Sequence, residues 1–129
     1  MLSATKPMLL EIAERQMEPD ITVVELTGKL ALGRECQRVE TLLDDLIKRR
    51  AKRVIFDMTC VDYADSAGIG MLALAAGRMK ESGGALAVVA SGGKVLHLLN
   101  LTQLTSIIQV CPTVDAAAAA LTPPSGRAS

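Results

Sequence analysis

Apolar positions near the start of the chain follow the pattern of β-strands. Residues 8–17 alternate between apolar and polar side chains in their middle, and residues 21–27 are rich in β-branched side chains. The intervening Glu-Pro-Asp at 18–20 has the chemistry of a turn, because proline fixes its own φ. We therefore expect a two-stranded hairpin, with Gly28 marking the end of the second strand or a bulge in it.

The apolar period lengthens to three and four residues over 35–50, where charged side chains fill the opposite face, and this predicts an amphipathic helix. Short apolar runs then alternate with longer helical patterns, one of which ends at Gly83-Gly84. The runs predict buried strands at 53–57, 85–90 and 107–110, and the helical patterns predict helices at 66–82, 94–101 and 114–121.

The predicted elements follow the order ββαβαβαβα. Alternating strands and helices predict an α/β fold with a mostly parallel sheet and about four helices, and the first hairpin makes the sheet mixed. The length of 129 residues suits one domain. We expect a flexible leader at 1–7, one domain at 8–121 and a disordered tail at 122–129.

Composition and charge exclude several classes of function. Aromatic residues make up only 2% of the chain, as Phe56 and Tyr63, which excludes nucleic-acid binding by base stacking. The 14 Lys and Arg residues balance 14 Asp and Glu residues, and a net charge of +0 is not that of a duplex binder. We interpret the basic cluster at 48–53 as a solvated helix end, where cations complement the helix dipole, rather than as a phosphate or membrane patch.

The cysteines indicate a reducing compartment, and the hydropathy of the sequence predicts no membrane span. The 3 cysteines, Cys36, Cys60 and Cys111, are too widely spaced for a disulfide framework, and with His97 alone they form no metal-ligand set. The chain has no uninterrupted run of about eighteen apolar residues, and its start lacks the apolar segment of a signal peptide. We expect a cytoplasmic protein that binds no metal and no cofactor and does not insert into a membrane.

One segment between a strand and a helix, residues 57–70, stands out chemically. Ser66 occupies the expected N-cap position, and Gly68 and Gly70 lie in the first helical turn, where each glycine costs about 1 kcal/mol relative to alanine. Two glycines in one turn indicate either that another group approaches the bare backbone closely or that the helix packs tightly on the sheet. The segment also carries three acidic side chains, Asp57, Asp62 and Asp65.

The same segment does not fit the spacing of an enzyme site. Gly68, Gly70 and Ala73 match the dinucleotide pattern G-x-G-x-x-A, but they lie too far from their strand and lack the acid about twenty residues later. Ser66 lacks the G-x-S-x-G context of a hydrolase nucleophile, and His97 lies inside an apolar run, where we expect a packed or capping role. We therefore expect a binding protein and not an enzyme.

The chain resembles the STAS domain, the fold of bacterial anti-sigma-factor antagonists, over about residues 8–121. The resemblance rests on Val-Ile-Phe-Asp at 54–57, Asp-Ser-Ala-Gly-Ile-Gly at 65–70, Gly-Lys-Leu at 28–30 and the element order. The family motif is usually Asp-Ser-Ser-Gly-Leu-Gly, so the third and fifth residues of the motif at 65–70 depart mildly from it. A single STAS-like domain is therefore expected.

The resemblance implies a regulatory function. In such proteins the serine that aligns with Ser66 is phosphorylated by a partner serine kinase that is also the anti-sigma factor. The unphosphorylated antagonist binds that kinase, so that the sigma factor is released, and phosphorylation ends the binding. Many family members carry an acid where this chain has Ala31, which leaves the identity and class of the partner open. The alternative is a STAS subunit of a lipid or anion transporter complex, which binds an ABC ATPase.

The position of Ser66 suits such a switch. A phosphate adds a charge of about −1.5 to −2, and the N–H groups and dipole at a helix N-terminus favour an anion. The fold is expected to tolerate the phosphate, although Asp62 and Asp65 repel it. An apolar partner surface that contacts Ser66 would not tolerate it, because burying an unpaired dianion costs too much free energy.

The second helix is expected to carry a contact surface for the partner. On a helical wheel, Met71, Leu74 and Arg78 lie opposite the apolar face, and an exposed apolar patch usually marks a contact site. The alternative is that the tail at 122–129 or the helix at 94–101 covers these residues. The apolar face, expected against the core, consists of Ile69, Leu72, Ala73, Ala76 and Met79.

Overall fold

The helices and strands follow one another in the predicted order. The computed structural model describes residues 10–17, 20–30, 34–90, 93–104 and 108–121, except for the side chains at 34, 35 and 94. The expected leader at 1–7, the tail at 122–129 and Ala31 lie outside the described residues. The elements are β1 (Leu10–Met17), β2 (Ile21–Leu30), α1 (Arg34–Lys48), β3 (Arg53–Ala64), α2 (Ser66–Glu81), β4 (Ala85–Val89), α3 (Gly93–Leu101), β5 (Gln109–Cys111) and α4 (Val114–Leu121).

The sheet is mixed and mostly parallel, which confirms the predicted fold class. Its strands are ordered β1-β2-β3-β4-β5, with β1 antiparallel to β2 and every later pair parallel. From β2 to β5 each strand is added on the same side of the one before it, so right-handed crossovers place α1, α2 and α3 together on one face. The last helix, α4, packs on the other face.

The larger apolar core lies between the sheet and the three helices α1, α2 and α3. Phe56 of β3 is fully buried in it among aliphatic side chains, and burying a side chain of this kind contributes about 1.5–3 kcal/mol. On the other face, α4 covers only part of the sheet, and Glu11, Ala13 and Arg15 of β1 lie exposed there. The smaller core beneath α4 consists of Ile21, Val23, Ile55, Ala87, Val89, Cys111 and Ala117.

β2 and β3 both run further than the sequence pattern predicts. The expected strands at 21–27 and 53–57 extend in the structure to Leu30 and Ala64. The extended parts pair through two register shifts, one of them directly after Gly28, whose φ of 111° lies in the region that favours glycine. Because such shifts interrupt the alternation of buried and exposed side chains, the sequence indicated a loop where β3 continues. Gly28 therefore does not end β2. It lies beside a bulge, but the extra residue of that bulge, Asp62, belongs to β3 and not to β2 as expected.

The helices α1 and α2 end in the same way with different residues. After α2, Gly83 has a φ of 88° and the N–H of Gly84 donates at 2.8 Å to the carbonyl five residues back, which confirms the predicted stop. After α1, the N–H of Ala51 makes the equivalent bond at 3.0 Å, but the left-handed residue is Arg50, with a φ of 64°. For a residue other than glycine, this left-handed conformation is less favourable by roughly 1–2 kcal/mol.

The basic cluster at the end of α1 contacts its own chain. Lys52 donates from Nζ to the carbonyl oxygen of Ser82 at 2.6 Å. Arg49 donates two hydrogen bonds, of 2.9 and 3.0 Å, to the carboxylate of Glu14 in β1. These bonds raise the pKa of the Arg49 guanidinium above its ordinary value. The contacts agree with the interpretation of this cluster as a helix end.

Two further features concern the described part of the chain. It contains no group of three or more His, Cys, Asp or Glu side chains that could hold a metal ion. None of its helices is long and apolar enough to cross a membrane. Of the two roles expected for His97, packed or capping, the packed one is wrong: His97 is exposed, because it lies across α3 from the buried Val95 and Leu99.

Candidate functional site

The serine of the motif lies where β3 passes directly into α2. β3 ends at Ala64 and α2 begins at Ser66, so Asp65 alone connects them. The N–H of Asp65 donates to the carbonyl oxygen of Leu30 at 3.3 Å, which holds the connection against the end of β2. Ser66 itself is exposed. It lies at the carboxyl end of the parallel strands, the edge at which open α/β sheets bind their ligands.

The N-cap of α2 is Asp65 and not Ser66. Oδ1 of Asp65 accepts a hydrogen bond of 2.9 Å from the N–H of Gly68, and its backbone is extended, with φ −99° and ψ −179°. The N-cap expected at Ser66 is wrong by one residue, because the aspartate side chain already reaches the third N–H group of the helix. Ser66 is therefore the first helical residue, and the capping bond does not depend on its hydroxyl group.

The two glycines of the motif have different surroundings. A Cβ atom added to Gly68 would lie 2.4 Å from the carbonyl oxygen of Leu30, so only glycine allows α2 to rest on the end of β2. A Cβ atom added to Gly70 would meet no atom within 4 Å, and Gly70 is exposed. The close approach predicted for this turn therefore involves Gly68 and the chain's own sheet, whereas Gly70 faces open space.

Asp57 lies apart from Ser66. Its Oδ1 accepts hydrogen bonds from the N–H of Thr59 at 3.0 Å and from the hydroxyl of Thr59 at 2.6 Å. Asp57 pairs with Glu25, and the end of β3 pairs with Leu30, five residues further along β2. Five residues of extended strand span about 16 Å. The sequence grouped Asp57 with the serine because it implied a loop here, and the continuing strand carries the two residues apart.

Asp62 forms an ion pair that sequence spacing alone did not predict. Nζ of Lys29 lies 3.6 Å from Oδ1 of Asp62 and 5.7 Å from the centre of the Tyr63 ring. Lys29 comes from β2 and pairs with Tyr63 across the two strands. It therefore brings a cation to the strand end that precedes Ser66. The Gly-Lys-Leu motif contains Lys29, but only the bulged register of β2 and β3 reveals its partner.

Of the three residues expected to face a partner, Met71 is buried. Its side chain is only 7% exposed and belongs to the larger core. The expectation that Met71 lies on the surface is wrong, because α2 packs against α1 and α3 as well as against the sheet, which widens its buried arc. The buried side of α2 also includes Ala75. Ala73 and Ala76, which we expected in the core, are only half-buried.

Leu74 and Arg78 differ from each other in their surroundings. Leu74 is 48% exposed, one of the few large apolar side chains on the described surface. Arg78 is half-buried and donates from its guanidinium to the carboxylate of Asp44, so it joins α2 to α1. Ser66, Gly70 and Leu74 are all exposed and lie four residues apart. They therefore form one continuous stripe along α2, which we call the α2 stripe.

Comparison with known proteins agrees with this geometry. Residues 13–117 match the family model of the STAS domain. An anti-sigma factor antagonist from Mycobacterium paratuberculosis superposes with a TM-score of 0.76 at 20% identity, over 87% of this chain and 93% of that one. The phosphorylated form of the Bacillus cell fate determinant SpoIIAA superposes with a TM-score of 0.66 at 13% identity, over 87% of this chain and 100% of that one. A sulfate transporter family protein from Wolinella succinogenes superposes with a TM-score of 0.70 at 20% identity, over 83% of this chain and 88% of that one.

Proposed function

Because the chain belongs to the STAS domain family, we propose that it is an anti-sigma-factor antagonist controlled by phosphorylation of Ser66. In this proposal it is a regulatory, cytoplasmic protein-binding module and not an enzyme. It binds an anti-sigma factor that is also a serine kinase, and that kinase phosphorylates Ser66 and ends the complex. The observation that carries the proposal is the exposed hydroxyl residue at the first position of α2, within the family motif.

The location of Ser66 allows a phosphate to be added without loss of the fold. Ser66 is exposed, and the capping bond to Gly68 belongs to Asp65. The N-terminus of α2 favours an anion through its N–H groups and dipole. Lys29 supplies a nearby positive charge, although it is already paired with Asp62. The phosphate therefore acts on the surface and leaves the core unchanged.

A partner that covers the α2 stripe would be sensitive to this phosphate. Leu74 is the apolar anchor that the stripe offers, two helical turns and about 12 Å from Ser66. Gly70 between them has open space above it, so the partner can approach the helix backbone closely there. A phosphate at Ser66 adds a dianion at the end of this apolar contact, next to Asp65. Burying the dianion without a cation costs more free energy than such a contact returns.

Capture of the partner from the native host tests the proposal. The tagged protein is expected to capture a serine kinase, and mass spectrometry is expected to find phosphate on Ser66 after incubation with that kinase and ATP. Ser66→Ala keeps the binding and abolishes the phosphorylation, whereas Ser66→Asp weakens the binding. If Ser66→Asp binds the captured kinase as tightly as the unchanged protein does, the proposed switch is wrong.

A second candidate function is a STAS subunit of a lipid or anion transporter complex. A sulfate transporter family protein from Wolinella succinogenes has the same fold, so the fold alone does not separate this candidate from the first. In that case the captured partner is an ABC ATPase, and Ser66 need not carry phosphate. A small nucleotide-binding enzyme is the third possibility, and saturable binding of ATP to the isolated protein would support it.

A further inference from the structure

The first strand forms a long open edge of the sheet. The sheet ends at β1 on one side and at β5 on the other, and β1 has 8 residues against 3 in β5. Among the described residues no strand pairs with the outer edge of β1. Main-chain N–H and C=O groups at such an edge can pair with a strand of another molecule.

One hydrogen bond identifies which main-chain groups of β1 point outward. The guanidinium of Arg38 in α1 donates to the carbonyl oxygen of Leu10. The main-chain groups of an antiparallel strand point alternately toward and away from its neighbour. The bond to Arg38 therefore indicates that the groups of Leu10, Ile12, Glu14 and Gln16 point away from β2. Ile12, Glu14 and Gln16 can pair with an added strand directly. The carbonyl oxygen of Leu10 already accepts from Arg38, so it would pair through its second lone pair or by displacing that guanidinium.

Beside this edge, the described part of the chain leaves an open surface. A shallow cavity of about 680 Å³ lies between β1 and α1, with the half-buried Ile12 and Leu42 contributing apolar surface. Arg38 and Asp45 contribute charge of both signs to the same cavity. An added strand would place alternate side chains over it, as in other cases of strand addition.

The charges along β1 are complementary to themselves in one register. We propose that the occupant is a second copy of this chain, and that two copies of β1 pair antiparallel about Ala13 to form one continuous sheet. In that register Glu11 faces Arg15 of the second copy, and the same contact occurs again across the axis. Directly opposite pairs of unlike charge stabilise an antiparallel pair, and like charges destabilise it.

Neighbouring registers of the same pairing are less favourable. The outward groups require an even shift, because residues that exchange hydrogen bonds must face each other. A register centred on Glu14 places two carboxylates directly opposite each other, and one centred on Ile12 pairs Glu11 with Ala13 and leaves its charge without a counterpart. The register about Ala13 alone combines full overlap of residues 10–16 with two pairs of unlike charge.

The existing contacts of Arg15 are compatible with this dimer. Nε of Arg15 lies 2.9 Å from Oε2 of Glu25, and the two side chains are 48% and 42% exposed. An exposed pair of this kind holds its partners weakly. A guanidinium has five N–H donors, so Arg15 can contact both Glu25 and Glu11 of the second copy. The charges along β1 therefore disfavour pairing with unrelated strands and favour pairing with β1 of a second copy.

A cysteine at the proposed symmetry axis tests the dimer directly. Ala13→Cys is made in the full chain with Cys36→Ser and Cys60→Ser, and Gln16→Cys in the same background is the control, since Gln16 is exposed on the same strand and takes no part in the charge pairs. Opposite Cα atoms at position 13 would be about 4.5 Å apart, within reach of a disulfide. The two Cα atoms at position 16 would be about 20 Å apart. We expect Ala13→Cys to form covalent dimers at least about tenfold faster than Gln16→Cys, and equal rates would overturn the proposal.

Charge exchange provides a second test that needs no cysteine. In light scattering, the unchanged protein is expected to have twice the monomer mass of 13.6 kDa. Glu11→Arg places like charges opposite each other, so it is expected to shift the protein to the monomer. Combining Glu11→Arg with Arg15→Glu is expected to restore the dimer. An unchanged protein that remains monomeric, or a Glu11→Arg variant that remains dimeric, would refute this register.

Discussion

A Cβ atom added to Gly68 would lie 2.4 Å from the carbonyl oxygen of Leu30. The first turn of α2 therefore rests on the main chain at the end of β2, and the N–H of Asp65 donates to the same carbonyl at 3.3 Å. This contact joins the two motifs of the sequence, Gly-Lys-Leu at 28–30 and Asp-Ser-Ala-Gly-Ile-Gly at 65–70, in one structural unit that positions Ser66.

The contact predicts opposite effects of alanine at the two motif glycines. Gly68→Ala forces its new methyl group against rigid backbone, so we expect it to lower the free energy of unfolding by about 1–3 kcal/mol. Gly70→Ala is the matched control, and it is expected to raise the free energy of unfolding by about 0.5–1 kcal/mol, because the site is open and alanine favours the helix. Urea titration measures both, and a Gly68→Ala variant as stable as Gly70→Ala would contradict the close contact.

The order of elements could be read from the sequence, but the path of β3 could not. The apolar runs and helical periods are local properties, and they gave the ββαβαβαβα order correctly. The continuation of β3 to Ala64 depends on pairing with β2 through two register shifts, which no local pattern records. For this reason the sequence pattern alone places Asp57 near Ser66 and does not reveal the pairing of Lys29 with Asp62.

The N-cap of α2 predicts the effects of changes at Asp65 and Ser66. Asp65→Ala removes the acceptor for the N–H of Gly68 and is expected to cost about 1 kcal/mol of unfolding free energy. Asp65→Asn keeps an acceptor oxygen and is expected to cost less. Ser66→Ala is expected to have an effect within about 0.5 kcal/mol, because Ser66 is exposed. If Ser66→Ala lowered the free energy of unfolding more than Asp65→Ala did, the N-cap would be Ser66 and not Asp65.

The burial of Met71 predicts that α2 has separable structural and binding positions. Met71→Ala removes a core side chain and is expected to cost about 2–5 kcal/mol of unfolding free energy. Leu74→Glu is expected to leave the melting temperature nearly unchanged and to weaken binding of the proposed partner, since Leu74 is 48% exposed. Thermal unfolding and a binding titration on the same samples distinguish the two positions. Unfolding of the Leu74→Glu variant would place Leu74 in the core.

A helical wheel could not separate these two positions. It orders side chains around one helix, but it does not say how many neighbours that helix has. Met71 is buried because α1 and α3 flank α2 on the same face of the sheet, and this arrangement arises from the three successive crossovers. Leu74 remains 48% exposed in the same arrangement.

The shared ending of α1 and α2 predicts a stabilising change. Arg50 holds a φ of 64° where α2 has Gly83 with a φ of 88°. Arg50→Gly is therefore expected to raise the free energy of unfolding by roughly 1 kcal/mol, because glycine adopts this conformation without steric cost. Gly83→Ala is expected to lower it by a similar amount. Guanidinium titration checks both, and a destabilised Arg50→Gly variant would mean that other contacts of this arginine outweigh its conformation.

The affinity of the partner for the protein with and without phosphate on Ser66 tests the central claim most directly. Calorimetric titration compares the unmodified protein, Ser66→Ala and a form that carries phosphoserine at 66, each against the kinase captured from the host. We expect the first two to bind alike and the phosphorylated form to bind at least about 100-fold more weakly, a difference of about 2.7 kcal/mol. All three are expected to stay folded by circular dichroism. Equal affinity of the phosphorylated and unmodified forms would contradict the account.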